Sequence, residues 1–588
     1  MNDPEFEQSA KAPADRRLRG QCSSSRTGTE GLSQPNSFQP EVLVSEPINE
    51  RIDGSDNPTI KTVEGGTGKH AFLVGSGILL SRIIGLIRQR VFAHYFGLSD
   101  AADAFYAAFR IPNFLQNVFG EGALSASFIP VYAKLLAHCD EEEASDVANA
   151  ILSILALATA VIVLVGVLTT PLVIDLVAPG FTGEKRELTI RLVRIFFPGA
   201  GLLVLSAWCL GVLNSHRRFF LSYTAPVIWN VAIIAALLAW GSRVDQFRLA
   251  EIVAWGSVVG SALQFAVQLP TVLKLLRRIR FLLDLYSAEV RHVLRNFFPV
   301  FFSRGVIQIS AFVDAWLASW LGTGAVGALS YTQSIYTLPV SLFGMSVSAA
   351  ELPTMSRATG TAEEVADVLR FRLNRGLQRI AFLIVPSAIA FLALGNIIAA
   401  VLYQTGQFTS EDANYIWGIL AGSGIGLLAA TLGRLYSSTY YALRDTRTPL
   451  VFAIVHVALA AAMGYVASIH LPPILQLDSK WGAVGLTTSA SFAAWVELLL
   501  LRGRLNKRIG QTGLPLKFSL KLWTAAIISA AIAWGIRIIL GPIHPIPLAV
   551  LVLGTYGVVY FAITSLFAVQ ESRAVTLRIL RVFGRKRS

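Results

Sequence analysis

The sequence predicts an all-α polytopic membrane protein with about fourteen transmembrane helices. Three observations carry this. The 588 residues are 54% hydrophobic and only 15% charged, with a mean hydropathy of +0.56. A soluble fold this apolar lacks the polar surface to cover itself. The chain runs in long unbroken apolar stretches, which excludes the alternating pattern of a strand barrel. The basic residues gather in every second break between stretches, the bias that cytoplasmic loops show.

Residues 1–70 are rich in Ser, Pro, Gly and charge, with no apolar period, and read as a disordered cytoplasmic tail. Within it, Gly65-Gly66-Thr67-Gly68-Lys69-His70 fails as a phosphate loop, since Val63 and His70 stand where Gly and Ser or Thr are needed. It reads as a linker. No cleavable signal opens the chain, so the first apolar segment acts as an anchor. A spanning helix needs roughly 20 apolar residues, and the candidates centre on residues 83, 120, 160, 203, 229, 261, 307, 338, 391, 426, 459, 491, 530 and 556. The second, seventh and eighth are interrupted by polar residues.

Basic breaks occur at His216–Arg218, Lys274–Arg280, Arg357–Arg379, Arg444–Arg447, Arg502–Arg508 and Arg585–Arg587. The opposite breaks, such as Gly97–Asp103, Leu321–Ala325, Gln404–Asn414 and Gly541–Pro547, are nearly free of them; Lys185-Arg186 and Arg243 are small exceptions. The pattern puts both termini in the cytoplasm. The acidic loop Asp140–Asp146 on that side weighs little. The net charge of +13 therefore records topology, and no nucleic-acid partner is expected. Cys22, Cys139 and Cys209 form no paired motif, and the histidines no metal cluster.

The first pair of segments is echoed in the seventh and eighth. Ser81-Arg82, Gly97, Pro112, Phe119-Gly120 and Pro130 recur in order as Ser303-Arg304, Gly322, Pro339, Phe343-Gly344 and Pro353. An offset of six segments keeps orientation. It predicts two parallel six-helix lobes, residues 71–280 and 281–505, around a substrate cavity that opens to alternate sides. Residues 506–588 add two helices and a basic cytoplasmic end. Pro112, Pro130, Pro198, Pro226, Pro299, Pro339 and Pro386 are expected to kink their helices, and Gly422 and Gly426 to form a helix contact face.

Charges inside apolar spans are costly and face a cavity or a partner. Segment one carries Arg82, Arg88 and Arg90; segment two carries Asp103, Arg110 and Glu121; segment seven carries Arg304 and Asp314; segment eight carries Glu351. One reading is structural, with Arg82 or Arg110 paired to Glu121, Asp314 paired to Arg304, and Glu351 in a helix-end contact. The other is functional. Deep arginines outnumber acids in the first lobe, and guanidinium forks bind phosphate or carboxylate bidentately. That reading makes Arg82, Arg88 and Arg304 ligands of a multivalent anion, with a diphosphate the natural choice and a sugar acid the other. Asp103, Glu121 and Arg110 then serve gating or shape the cavity, and Asp314 takes a coupling cation or proton. No catalytic constellation and no cofactor is expected, only coupling to a cation gradient or to the membrane potential.

The run Ser81-Arg82-Ile83-Ile84-Gly85-Leu86-Ile87-Arg88, with Phe96-Gly97, Asp103-Ala104-Phe105, Ile111-Pro112-Asn113-Phe114, Glu121-Gly122-Ala123 and Phe128-Ile129-Pro130, resembles the MurJ/MviN family of lipid II flippases. Ala178-Pro179-Gly180-Phe181, Tyr403–Phe408 and Thr448-Pro449 fit it as well, and the likeness covers about residues 72 to 570. The resemblance implies fourteen helices in the fold shared by multidrug, oligosaccharide-lipid and polysaccharide exporters. It implies transport of undecaprenyl-diphosphate-linked peptidoglycan precursor to the outer leaflet, with Arg82 and Arg88 on the diphosphate or its entry and Asp103 and Glu121 in gating or in holding the cavity. The tail before residue 70 lies outside the likeness and is expected to meet cell-wall synthesis proteins. The chain departs from the family at Gln89 and Gln116, and Tyr331–Ile335 lacks an Asp-Arg pair common in segment eight. The departures leave open an exporter of another polyprenyl-linked glycan, or a non-transporting scaffold.

Overall fold

A computed structural model of the chain describes residues 64–572 apart from 139, 277–278 and 542, and among its helices it leaves aside the side chains of 64–76, 78, 120–122, 302–307 and 309–310. The tail to residue 63, Cys22, Cys139, the basic end and the side chains of Glu121 and Arg304 lie outside the described residues.

The described residues form α1 (Glu64–Phe96), α2 (Asp100–Asn117), α3 (Ser125–Ala137), α4 (Glu141–Val177), α5 (Gly183–Ser215), α6 (Phe219–Trp240) and α7 (Gln246–Leu276). There follow α8 (Ala288–Ala318), α9 (Ala325–Pro339), α10 (Ser346–Ser356), α11 (Ala362–Tyr403), α12 (Ser410–Ala442), α13 (Arg447–Tyr465), α14 (Leu471–Ile474), α15 (Gly482–Ile509), α16 (Leu516–Leu540) and α17 (Pro545–Leu566). Among the described residues, eleven helices are long and apolar enough to cross a membrane. The chain is thus an all-α polytopic membrane protein, and each expected centre falls on a helix or on a π turn within one.

Three readings of breaks need correction. The linker Gly65–His70 is helical and belongs to α1. The acidic loop Asp140–Asp146 is the start of α4, where the Asp140 carboxylate accepts the Glu143 N–H at 3.1 Å. Most of the basic stretch Arg357–Arg379 and all of Arg502–Arg508 lie within α11 and α15. The helices continue past their apolar spans, because backbone hydrogen bonds propagate through charged residues of good helix propensity.

The lipid-facing surface is legible side chain by side chain. Leu164, Leu168, Leu172 and Leu176 repeat every fourth residue along α4 and are 60–74% exposed. That spacing lays them in one stripe, which only an apolar solvent tolerates. By contrast α11 and α12 run through the centre, their apolar windows 72% and 67% buried. Gly426 of α12 lets α15 approach: a Cβ there would lie 2.5 Å from the Ser491 Cα, and the Ser491 hydroxyl donates to the Gly422 carbonyl at 2.7 Å. Gly426→Val forces the two helices apart, an overpacking cost of about 1–3 kcal/mol. It is expected to lower the melting temperature in detergent; an unchanged melting temperature would remove this contact from the account.

The internal echo has a backbone counterpart. Phe119-Gly120 lies in a π-helical turn, Val118–Leu124, between α2 and α3. Phe343-Gly344 lies in another, Val340–Met345, between α9 and α10, directly after Pro339. A π turn inserts a residue into the helical ladder and marks a place where the rod bends.

Candidate functional site

Helices α1, α2 and α9 come together around a cavity of about 240 Å³. Seven residues separate Asp103 from Arg110 on α2, about 10 Å along the axis, and the site is built in layers over that distance.

The first layer is a clamp. The Asp103 side chain is fully buried. Its Oδ1 accepts the Gly327 N–H at 2.7 Å, and its Oδ2 accepts the Gly324 N–H at 2.7 Å and a hydrogen bond from Lys185 Nζ at 2.6 Å. One carboxylate thus caps the N-terminus of α9 from across the bundle. Carboxylates are stabilised there, because the first N–H groups of a helix have no internal partner. Gly324 holds φ +85° at that cap, a conformation glycine adopts without strain. Lys185 also reaches Asp100 at 2.9 Å and sits over the Phe181 ring at 4.4 Å. Nearby, the Gly180 N–H donates to the Ser319 hydroxyl at 3.1 Å, so the Ala178–Phe181 motif ties the α4–α5 turn to the end of α8. Lys185, discounted in the sequence as an exception to the charge bias, is the counter-ion of the clamp. Its signal was there: a basic pair, Lys185-Arg186, on a face otherwise nearly free of such residues.

Beneath the clamp is an aromatic layer. Phe96, Tyr331, Tyr403 and Phe408 are at most 2% exposed, with ring centroids of Tyr331 4.9 Å from Tyr403 and 5.7 Å from Phe408. Polar bridges knit the same level. Tyr106 donates to Gln89 Oε1 at 2.6 Å and Gln89 Nε2 donates to Ser334 at 3.3 Å. Arg90, a segment-one arginine, donates to the Val401 and Leu402 carbonyls at 2.5 and 3.1 Å, binding α1 to the end of α11. The cost of a guanidinium in this layer is offset by those carbonyls.

The cavity lies below. Arg88, Arg110, Asn113, Gln333 and Ser334 supply its polar lining. The Arg88 guanidinium lies over the Trp229 ring, 4.9 Å from its centroid, and makes no ion pair among the described residues. Arg110 Nη1 donates to the Ala311 carbonyl at 2.6 Å, and Asp314, one turn further along α8, is its charged neighbour. The structure therefore brings Arg88 and Arg110 together. Arg82, six residues earlier on α1, is exposed and outside the cavity lining. Arg110 and His456 are neighbours of Asp314, and His456 Nδ1 lies 3.0 Å from Glu497 Oε2; the Arg304 side chain of the expected Asp314–Arg304 pair lies outside the described residues. Glu351 pairs with Arg379 at 3.2 Å and Arg372 at 3.6 Å, the helix-end contact expected of it. Gln333 and Ser334 of α9 line the cavity as neutral residues, and both cationic residues of its lining come from α1 and α2.

A cationic cavity sealed on one side by a clamp and an aromatic layer can hold an anionic group and release it when the seal parts. Comparison with known proteins bears on which group. The sequence pattern of the family described as Lipid II flippase MurJ matches residues 92–554. The Lipid II flippase MurJ of Burkholderia cenocepacia is 33% identical over 473 residues, covering 79% of this chain and 89% of the relative. The Probable lipid II flippase MurJ of Rhizobium meliloti is 31% identical, covering 84% and 92%. The fold is similar to that of a solved Lipid II flippase MurJ in an inward closed conformation, with a TM-score of 0.69 and 26% identity over 84% of this chain and 98% of that one. An inward-facing multidrug resistance MATE family transporter of the MOP superfamily shares the fold at a TM-score of 0.58 and 17% identity, covering 74% and 98%. With a family match over most of its length and curated relatives above 30% identity, the chain belongs to the MurJ family of lipid II flippases.

Proposed function

We propose that this protein carries lipid II, the undecaprenyl-diphosphate-linked peptidoglycan precursor, from the inner to the outer leaflet of the plasma membrane by alternating access. It is a transporter and not an enzyme. The observation that carries the reading is Arg88: a cation facing a cavity between helices, held over an indole and with no carboxylate partner among the described residues. A diphosphate supplies the missing counter-charge, and a low-dielectric cavity strengthens the pairing. Arg110 is the second ligand from the same wall. Arg82, exposed on α1, belongs to the entry path, Arg304 of α8 is the second lobe's candidate ligand, and Glu121 belongs to the π turn where the rod bends.

In this reading α1, α2–α3 and α8 join the eleven apolar helices to give fourteen crossings. Residues 71–280 and 281–505 form the two lobes, with both termini in the cytoplasm and residues 506–588 appended. The Asp103 clamp then closes the outer side, and the tail meets cell-wall synthesis proteins. Purified protein is expected to bind lipid II and undecaprenyl diphosphate, and to bind the neutral undecaprenol at least tenfold more weakly. Equal binding of undecaprenol would contradict a diphosphate site.

Asp314 takes the coupling role. It has Arg110 and His456 as neighbours, with His456 3.0 Å from Glu497, so a cation or proton arriving there competes with Arg110 for the carboxylate. Asp314→Asn is expected to keep lipid II binding but to make transport in proteoliposomes independent of an imposed proton or sodium gradient. A variant that keeps full gradient dependence would remove Asp314 from coupling.

A further inference from the structure

A second polar cavity, of about 210 Å³, lies away from the transport site, where the ends of α11 and α16 meet the starts of α12 and α17. Arg537 reaches it from α16, its guanidinium 4.4 Å from the Trp534 ring centroid. Trp534 is itself fixed, donating its indole N–H to the Ala393 carbonyl at 2.9 Å. Arg537 Nη1 is buried and has no hydrogen-bond partner among the described residues. A buried guanidinium nitrogen without an acceptor is costly, so an acceptor from outside the chain accounts for it.

The surrounding groups define that acceptor. Asn396, Asn414, Gln404 and Ser410 supply amide and hydroxyl donors. Ser410 opens α12, whose positive end adds to the field. The nearby acids are engaged elsewhere: Asp412 accepts the Thr409 N–H at 2.8 Å and Glu411 meets Lys480 at 3.3 Å. Neither lines the cavity. A planar fork with amides and a hydroxyl around it supplies donors for the several oxygens of a phosphate, more than one carboxylate would use. The rest of the wall is apolar. Ile543 and Leu548 line the cavity, and Ile538 and Ile539 beside Arg537 are 73% and 85% exposed, with Ile546 46% exposed. An anionic head with alkyl chains fits both halves.

We infer that this cavity binds the phosphate of a membrane phospholipid, as a resident-lipid site distinct from the transport cavity, with Arg537 as its anchor. The site holds α16 and α17 to α11 and α12 through a shared lipid. The inference needs only that the helices span a membrane, and it stands whether or not lipid II is the cargo.

The test uses the full chain in detergent, titrated by native mass spectrometry with phosphatidylglycerol and with diacylglycerol of the same chains. Wild type is expected to retain phosphatidylglycerol and to bind diacylglycerol at least tenfold more weakly. Arg537→Gln is expected to lose about tenfold in phosphatidylglycerol affinity, the loss of one charge-assisted hydrogen bond, and Arg537→Lys to recover part of it. Asn414→Leu, which leaves the charge in place, weakens retention if Arg537→Gln does not fold. Equal retention of the two lipids, or equal phosphatidylglycerol affinity of wild type and a folded Arg537→Gln, overturns the proposal. So does inorganic phosphate that binds wild type and not Arg537→Gln while phosphatidylglycerol is unaffected, since that assigns the cavity to a free anion.

Discussion

Arg88→Ala is expected to reduce lipid II transport by about 100-fold with the protein still present in the membrane. Two charge-assisted hydrogen bonds to a diphosphate, each on the order of 1.5 kcal/mol, amount to about 3 kcal/mol, or two decades of affinity. The fold should survive, because Arg88 contributes no ion pair among the described residues and its removal leaves Trp229 packed on Phe109, 5.8 Å between centroids. Arg88→Lys keeps the charge but loses the bidentate fork and the flat stacking surface, so it should fall between wild type and alanine. Transport assayed in proteoliposomes, with melting temperature as control, checks the order. Full activity of Arg88→Ala would move the diphosphate elsewhere.

Asp103→Ala is expected to act on conformation first and on transport as a consequence. The side chain joins Lys185 on α5, its own α2, and two N–H groups of α9. Removing the carboxylate strands the Lys185 ammonium near Asp100 alone and uncaps α9. Breaking a buried, hydrogen-bonded pair costs about 3–5 kcal/mol, and the loss falls only on the state in which the clamp is closed. A 3 kcal/mol loss shifts a two-state equilibrium by more than 100-fold toward the open state. A cysteine placed at Ala325, fully buried beside the Gly324 cap, should therefore label faster with an impermeant thiol reagent in Asp103→Ala than in its parent. Identical labelling rates would show that the aromatic layer alone holds this side shut. Asp103→Asn, which can still accept one N–H, should lie between the two.

How much of this was legible in the sequence depends on the kind of interaction. Periodicity and length located the helices, because burial in lipid demands uninterrupted apolar runs whatever the partner. The echo of Phe119-Gly120 in Phe343-Gly344 was visible, but that both copies are π turns was not: a ladder slip depends on packing across the rod, as well as on the motif. Arg88 and Asp103 stood out because a charge in an apolar span is conspicuous by itself. Their partners did not. Lys185 lies 82 residues from Asp103 and looked like loop noise. Trp229 looked like one more apolar residue of α6. The same holds for Asp314, whose neighbours Arg110 and His456 are set by which helices pack together. Arg537, near the end of an apolar helix, reads as an ordinary snorkelling cation until its buried nitrogen is found without a partner among the described residues.

The most direct test of the account is complementation. A strain depleted of its own lipid II flippase should grow and keep its shape when this chain is expressed and reaches the membrane, and should lyse when the expressed chain is Arg88→Ala at equal abundance. Lysis with both, or rescue by both, would contradict a lipid II carrier whose diphosphate ligand is Arg88.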